Sequence, residues 1–520
     1  MNLLKINFKK ENGSISLFIL VSVLFFLVAV VSVGISLKNK AVSMNKKFNT
    51  IKQTYEVDVG NEEKISTDEE KENTQNSETN SSEEVVSNYG RIDVIWLSGT
   101  SSTVSSVPNE PNLGDKMTKV TWSEAEDANG NTTGWTEDST AKSNWYNYVA
   151  GTGNDENLSS MWANAKNSDG SYFVWIPRYA YRITYYSDSS YKTVTGYYDG
   201  RGMWSAKTGK TIYVLDNGIE TVDYNGKKYV VHPAFTSSVD NGGWNEPLKG
   251  FWMAKYEMSR KGATKNSTGT GYSTTFKSVP NVQSARSITI GNMYDVAYNY
   301  DRTKESHMAK NSEWGATAYL SFSQYGRNGH EVDINNSSSC ITGNGGGSTS
   351  INESVGITNA YNTIIGAKAS TTGNIYGIYD MSGGAWEYTA SFDQKGDYNY
   401  VNGESYGKNM TKNVKNSEGG YTSSKYITVY NQGTNTDDGE KIYKVGKIGD
   451  GTKETYNTSR SGNYSWYPNG DYTYTFNSNY PFFTRGGYYH NGMNAGIFFS
   501  NYNEGSNGDS SFRTVLCIEL

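Results

Sequence analysis

From Tyr89 to the C-terminus the aromatic residues come in short runs, cut apart by clusters of Gly, Asn, Ser and Asp. That punctuation allows short strands and tight turns. It denies the chain the long periodic segments that bundles, solenoids or propellers require. The counts agree: 55 Gly, 42 Tyr, 12 Trp and 17 Phe stand against 8 Pro and 2 Cys. At 14% aromatic, disorder is excluded for most of the length, because disordered segments are poor in such residues. Two cysteines exclude a disulfide-dense scaffold and any four-thiolate zinc or iron–sulfur site. A net charge of −6 over 520 residues supplies no global field to capture nucleic acid, and none is expected as a partner. What remains suits a loop-rich surface module better than a compact cytosolic enzyme.

The first 88 residues have a different texture. Ser14 to Leu37 is a run of 24 residues without a charge. As a helix it would span roughly 36 Å, enough to cross a hydrocarbon core of about 30 Å, and it exceeds the apolar stretch of a cleaved secretory signal. We expect a transmembrane helix at 14–37 after a cytoplasmic leader at 1–13, with a single-pass topology and the body extracytoplasmic. Lysines on both sides, including Lys9, Lys10, Lys38 and Lys40, leave the orientation undecided by charge. Residues 38–88 read as a juxtamembrane segment and acidic linker. Within them, 61–84 holds nine acidic residues, two lysines and no aromatic, the composition of an extended tether.

In the body, Ile92–Leu97, Tyr172–Ile176, Tyr181–Tyr186 and Lys228–Val231 read as short strands bounded by turn residues. Met293, Val296, Ala297 and Tyr300 fall at i, i+3, i+4 and i+7, an amphipathic helical face, and Asn311 reads as the capped start of a second short helix. The class is α+β with low regular content. Residues 395–470, poor in aliphatics, read as an insertion or long loops, as does the stretch near 184–228.

Several segments, in order, resemble the sulfatase-modifying factor family, whose founding activity is the formylglycine-generating enzyme. They are Tyr172-Phe173-Val174-Trp175-Ile176-Pro177, then Gly250 to Ser259 with Glu257, then Lys310-Asn311-Ser312-Glu313-Trp314-Gly315-Ala316. The longest is Gly373 to Tyr388, which is similar to the family's Gly-Leu-Tyr-Asp-Met segment running into Gly-Asn-Val-Trp-Glu-Trp. Arg485-Gly486-Gly487-Tyr488-Tyr489 resembles its Arg-Gly-Gly-Ser-Trp element, and Ser511-Phe512-Arg513 its closing Gly-Phe-Arg strand. The resemblance spans residues 171–520, leaving 89–170 as an accessory β-rich region, and implies an irregular C-type-lectin-like fold. The bland reading of Trp314, Trp386 and Arg513 is core packing. Separately, Lys9-Lys10-Glu11-Asn12-Gly13-Ser14 resembles the entry of prepilin-like proteins, processed after the glycine. Type IV pilins carry Glu five positions after the cleavage site, where this chain has Phe18.

The resemblance also bears on chemistry. The family's oxidase uses a cysteine pair between the Arg-Gly-Gly element and the closing strand to bind copper(I), a choice that thiolate softness explains. Between Arg485 and Phe512 there is no cysteine, and Cys340 and Cys517 match neither position, so copper and formylglycine generation are disfavoured. A disulfide between those two cysteines and a pair of free thiols both stay open. His232, His307, His330 and His490 are never paired at metal-ligand spacing; His490 alone lies in the recognition segment. Family members often hold calcium in the Gly-Asn-Val-Trp-Glu loop. The matching donors would be the carbonyls of Ser382, Gly383 and Ala385 and the carboxylate of Glu387, with Gly384 in place of the family's asparagine.

The Tyr/Asn-rich run after Arg485 mixes aromatic anchors with adaptable amides on glycine-punctuated backbone, as recognition loops do. Candidate ligand-binding residues are Arg485, Tyr488, Tyr489, His490, Asn491, Asn494 and Tyr502. The expectation is a membrane-anchored, extracytoplasmic binding or display protein on a degenerate scaffold of this family, recognising a surface ligand or glycan. The alternatives are a metal-dependent oxidoreductase of the family and a pseudopilin-like filament component.

Overall fold

The aromatic runs become strands because Tyr, Trp and Phe pack well on a pleated, half-buried surface while the intervening Gly and Asn turn the chain. In the computed structural model, residues 90–126, 132–137, 145–186, 193–198, 202–205, 210–214, 219–269, 275–346, 359–396, 398–401, 406–431, 446–455, 479–492 and 495–518 are described. The expected transmembrane segment and tether lie outside them. No helix among the described residues is long and apolar enough to cross a membrane.

The architecture is sheet-rich α+β. A seven-stranded sheet runs His307–Met308, Thr514–Leu516, Gly250–Ala254, Tyr172–Pro177, Asn164–Asn167, Met117–Glu126 and Thr132–Glu137 from edge to edge. A six-stranded sheet is centred on Tyr179–Tyr186, which pairs antiparallel with Gly90–Leu97 and with Lys227–Val231. A five-stranded sheet carries the C-terminal half: Trp386–Asp393 pairs antiparallel with Phe482–Arg485 and parallel with Thr428–Tyr430 and Ser510–Phe512. Ser500–Asn503 forms its edge. Two helices matter for the site, α1 (Ile290–Tyr298) and α2 (Asn311–Phe322).

Every residue of α2 is buried. A helix buried all round needs small residues where backbone approaches, and Gly315 meets that demand: a Cβ there would sit 2.0 Å from the Gly449 carbonyl. Its first turn is capped by Glu313, whose Oε2 accepts from the Lys310 N–H at 2.8 Å. Asn311, expected to cap, is the first helical residue instead. Its amide donates to Tyr430 OH and its Oδ1 accepts from Arg485. On α1, Met293 and Ala297 are buried as the spacing required, while Tyr300 lies beyond the helix end.

Two stretches that the sequence sets apart from the family-like core make contact with it. Residues of 89–170 are integral to the two larger sheets, because Gly90–Leu97 pairs with Tyr179–Tyr186 and Asn164–Asn167 with Tyr172–Pro177. Within 395–470, the segment 446–455 threads the core. Glu454 is fully buried, accepting hydrogen bonds from Tyr181, Tyr319 and the Gly449 N–H. Asp450 is held by Thr452 and by the Lys447 and Lys453 amides. Low aliphatic content hid this segment, because its burial rests on polar groups and backbone.

Candidate functional site

The recognition segment leaves the five-stranded sheet at Gly486 and Gly487, both at positive φ (82° and 79°). A Cβ on Gly487 would lie 2.6 Å from Ala495 Cα, so the turn requires glycine. From there the chain zips onto the loop before Trp386. The Tyr489 N–H donates to the Gly384 carbonyl at 2.8 Å, and the Gly383 N–H to the Gly486 carbonyl at 3.0 Å.

This docking aligns a continuous aromatic ladder. Trp386 and Tyr488 have ring centroids 5.1 Å apart, Tyr488 and Tyr489 4.3 Å, and Tyr489 and His490 5.6 Å with planes 20° apart. Trp386, Tyr488 and Tyr489 are half-buried and His490 is exposed. Asn491 locks the ladder, since its Oδ1 accepts from Trp386 Nε1 at 3.0 Å and from the Tyr488 N–H at 2.6 Å. Burial, and then the hydrogen bond with Tyr489, raise the Tyr488 phenol above its ordinary range. The structure thus brings Tyr488, Tyr489, His490 and Asn491 together and adds Trp386, which the sequence reading assigned to the core.

The other candidates fall elsewhere. Arg485 is fully buried. Its guanidinium donates to Asn311 Oδ1 (2.8 Å) and to the carbonyls of Asp450 (2.7 Å) and Phe499 (2.9 Å), and lies 5.6 Å from the Trp314 ring. It ties the sheet to α2 and to the 446–455 segment instead of facing a ligand. Tyr502 sits on the edge strand and stacks on Tyr480, 5.5 Å away, outside the ladder. Asn494 lies outside the described residues.

Beneath the ladder is a floor of buried charge. Arg513 chelates both carboxylate oxygens of Glu387, Nε to Oε2 at 3.0 Å and Nη2 to Oε1, and donates to the Ala254 and Tyr379 carbonyls at 2.9 Å each. Two more carboxyls join it. Asp380 accepts from Asn335 Nδ2 (2.7 Å) and the Gly343 N–H (2.9 Å), and Glu257 Oε1 accepts from the Ala385 N–H (2.9 Å). Glu257 Oε2 is buried with no hydrogen-bond partner among the described residues. Burial raises all three: Glu257 well above the carboxylate range, Glu387 to about 7 and Asp380 to about 6, with Arg513 pulling back against the rise.

Two of the four calcium donors have partners of their own. Arg513 occupies Glu387, the only side-chain donor of the set, and the Ser382 carbonyl accepts from the Asn335 N–H at 2.8 Å. An ion at Glu387 would have to displace a guanidinium. It is Glu257, not Glu387, that accepts the loop amide. Gly384 stands at φ +71°, and a Cβ there would lie 2.7 Å from Glu257 Oε1.

Both cysteines are buried and neither is in a disulfide. Cys340 donates to the Gly384 carbonyl at 3.3 Å, and burial raises its thiol well above the ordinary value. His232 and His307 are fully buried and His330 nearly so. Burial pushes His232 down to about 3, so it is neutral. No protein-family model matches the chain, and no curated protein matches it.

Proposed function

We propose that the chain is a membrane-anchored, extracytoplasmic binding protein whose recognition surface is the ladder Trp386–Tyr488–Tyr489–His490. The ligand class is a surface glycan or another surface ligand with faces that stack on aromatic rings. The observation that carries this reading is the ladder itself. Its rings are partly open to solvent, they are held in line by Asn491, and they rest on the buried Arg513–Glu387 pair. A C-type-lectin-like scaffold of the formylglycine-generating-enzyme type fits the same picture. The segments that carry that resemblance meet one another through Arg513–Glu387, Glu257–Ala385 and Arg485–Asn311. Formylglycine generation would need a cysteine pair at the ladder; Cys340 lies buried beneath it, and no cysteine stands between Arg485 and Phe512.

The test is glycan-array and cell-surface binding by the full chain in detergent micelles. Tyr489→Ala and Trp386→Ala are expected to weaken binding by about tenfold or more, the loss of a stacked aromatic anchor. Tyr502→Ala, off the ladder, is expected to leave it unchanged. Retained binding in both ladder variants sinks the proposed surface. Oxygen consumption with a cysteine-containing peptide would overturn the choice of binding over catalysis.

A further inference from the structure

A second group of chemically capable side chains converges away from the ladder. His307, Glu313 and Cys517 are fully buried, and one donor atom from each lies within 4.8 Å of the other two. They come from three places in the chain. His307 opens the edge strand His307–Met308, Glu313 stands in the first turn of α2, and Cys517 follows the C-terminal strand Thr514–Leu516. The two strands pair antiparallel, His307 opposite Val515, and the Cys517 N–H donates to the Lys304 carbonyl at 3.0 Å.

The bonds around His307 fix what its second nitrogen must do. Nδ1 lies 2.8 Å from the Glu305 carbonyl, which can only accept, so Nδ1 carries a hydrogen. Nε2 then faces Glu313 Oε1 at 2.9 Å. Two lone pairs at that distance need a positive charge between them, and either a proton or a metal ion supplies it. The Cys517 sulfur lies within 4.8 Å of both, and imidazole, carboxylate and thiolate together are a zinc-type donor set. The surroundings also fit: a ligating histidine commonly donates its other N–H to a backbone carbonyl, and Glu313 Oε2 is oriented by the Lys310 N–H.

We propose that His307 Nε2, a Glu313 carboxylate oxygen and Cys517 Sγ form a binding site for a divalent ion of the zinc class. A carboxylate and a thiolate among the three ligands carry the two negative charges that a divalent ion requires. Lys310 Nζ lies 3.6 Å from Glu313 Oε1 and is held by the Gly242 and Gly243 carbonyls. Ligand atoms around a tetrahedral zinc sit roughly 3.3–3.7 Å apart, so the nitrogen–oxygen pair opens by less than about 1 Å to admit it. Because all three donors are buried, the ion is taken up as the chain folds and fastens the C-terminal strand to α2.

The experiment has two arms on the full chain. Metal analysis of the natively purified protein is expected to find about one zinc per chain in the wild type and in Cys340→Ser, and less than about a tenth of that in Cys517→Ser. Chain unfolded, stripped with chelator and refolded in Co²⁺ is expected to gain a thiolate-to-cobalt charge-transfer band that excess zinc abolishes. His307→Gln is expected to weaken cobalt uptake by at least about tenfold. Wild type that is folded by circular dichroism yet holds no metal in either arm overturns the site, leaving a proton on Nε2. A cobalt band that survives Cys517→Ser overturns it equally, because the band then reports a sulfur other than that of Cys517.

Discussion

The floor beneath the ladder and the cluster at the start of α2 bury titratable groups of opposite predominance, acids in the first and nitrogen bases in the second. The first sets three carboxyls, Glu257, Asp380 and Glu387, around one guanidinium, that of Arg513. The second sets Lys310 and His307 against one carboxylate, that of Glu313, with a thiol beside it. Each is compensated by backbone of the appropriate polarity. Glu257 and Asp380 receive N–H groups of Ala385 and Gly343, while His307 and Lys310 meet the carbonyls of Glu305, Gly242 and Gly243. Irregular, glycine-rich loops can deliver either polarity because their peptides are not committed to a ladder. The same chain thus satisfies an acidic and a basic centre without a long helix at either.

Removing the cation should separate the two centres most clearly. Arg513→Met leaves Glu387 buried with no partner of opposite charge and strips two carbonyls of their donor. The expected loss is about 3–5 kcal/mol in urea unfolding. Lys310→Met removes a donor from the Gly243 carbonyl, while Gly242 keeps Ser312 Oγ and Glu313 keeps His307 and the backbone N–H of position 310; about 1–3 kcal/mol is expected. Equal losses would mean that the two centres are not organised differently.

The acidic floor should also reveal itself by pH. Its carboxyls hold protons more tightly when folded than when unfolded, Asp380 to about 6, Glu387 to about 7 and Glu257 higher still. The folded state then binds more protons through this range, so stability is full below the ordinary carboxylate pKa and is lost as pH rises through 6 to 7. The groups facing Glu257 are Asp380, Glu387, Arg513 and Cys340. A decline of roughly 1–3 kcal/mol between pH 5 and 8 is expected in the wild type. Glu257→Gln, which mimics the protonated acid, should flatten that decline while leaving stability at pH 5 nearly unchanged. A slope untouched by Glu257→Gln would place the shared proton on other groups.

Legibility in the sequence followed the kind of force involved. The strands at Ile92–Leu97, Tyr172–Ile176 and Lys228–Val231 could be read because apolar side chains drive their burial and leave a local pattern. The 446–455 segment could not, since Glu454 is buried by hydrogen bonds from Tyr181 and Tyr319, which lie far away in the chain. Arg485 was misplaced for a related reason: a polar residue beside a Tyr/Asn-rich loop looks exposed until its acceptors, Asn311, Asp450 and Phe499, are brought to it. Trp386, conversely, was expected in the core and lies half-open at the end of its strand. The acidic floor joins residues some 130 positions apart, Glu257 to Ala385 and Glu387 to Arg513, a separation no local spacing can signal.

The glycine between floor and ladder gives an effect of middle size. Gly384→Ala must place a Cβ 2.7 Å from Glu257 Oε1 on backbone at φ +71°. Strain of about 1–3 kcal/mol is expected. The displaced loop should also weaken ligand binding through the Tyr489–Gly384 hydrogen bond. A variant as stable as wild type would show that floor and face are mechanically separate.

The smallest effect on stability should come from the lock on the ladder, and there stability and binding part company. Asn491→Ala removes one acceptor shared by Trp386 Nε1 and the Tyr488 N–H, two donors close enough to the surface for water to replace it. About 0.5–1.5 kcal/mol of stability is at stake. Binding should fall further, by about tenfold, because Trp386 and Tyr488 lose the group that aligns their rings and the ligand must order them itself. Asn491→Asp keeps the acceptor oxygens and should restore most of the binding to an uncharged ligand. Rescue by aspartate with loss in alanine separates alignment from direct contact through the amide N–H groups. Failure of aspartate to rescue would make Asn491 a ligand-contacting residue in its own right, and the ladder's order would then rest on ring packing alone.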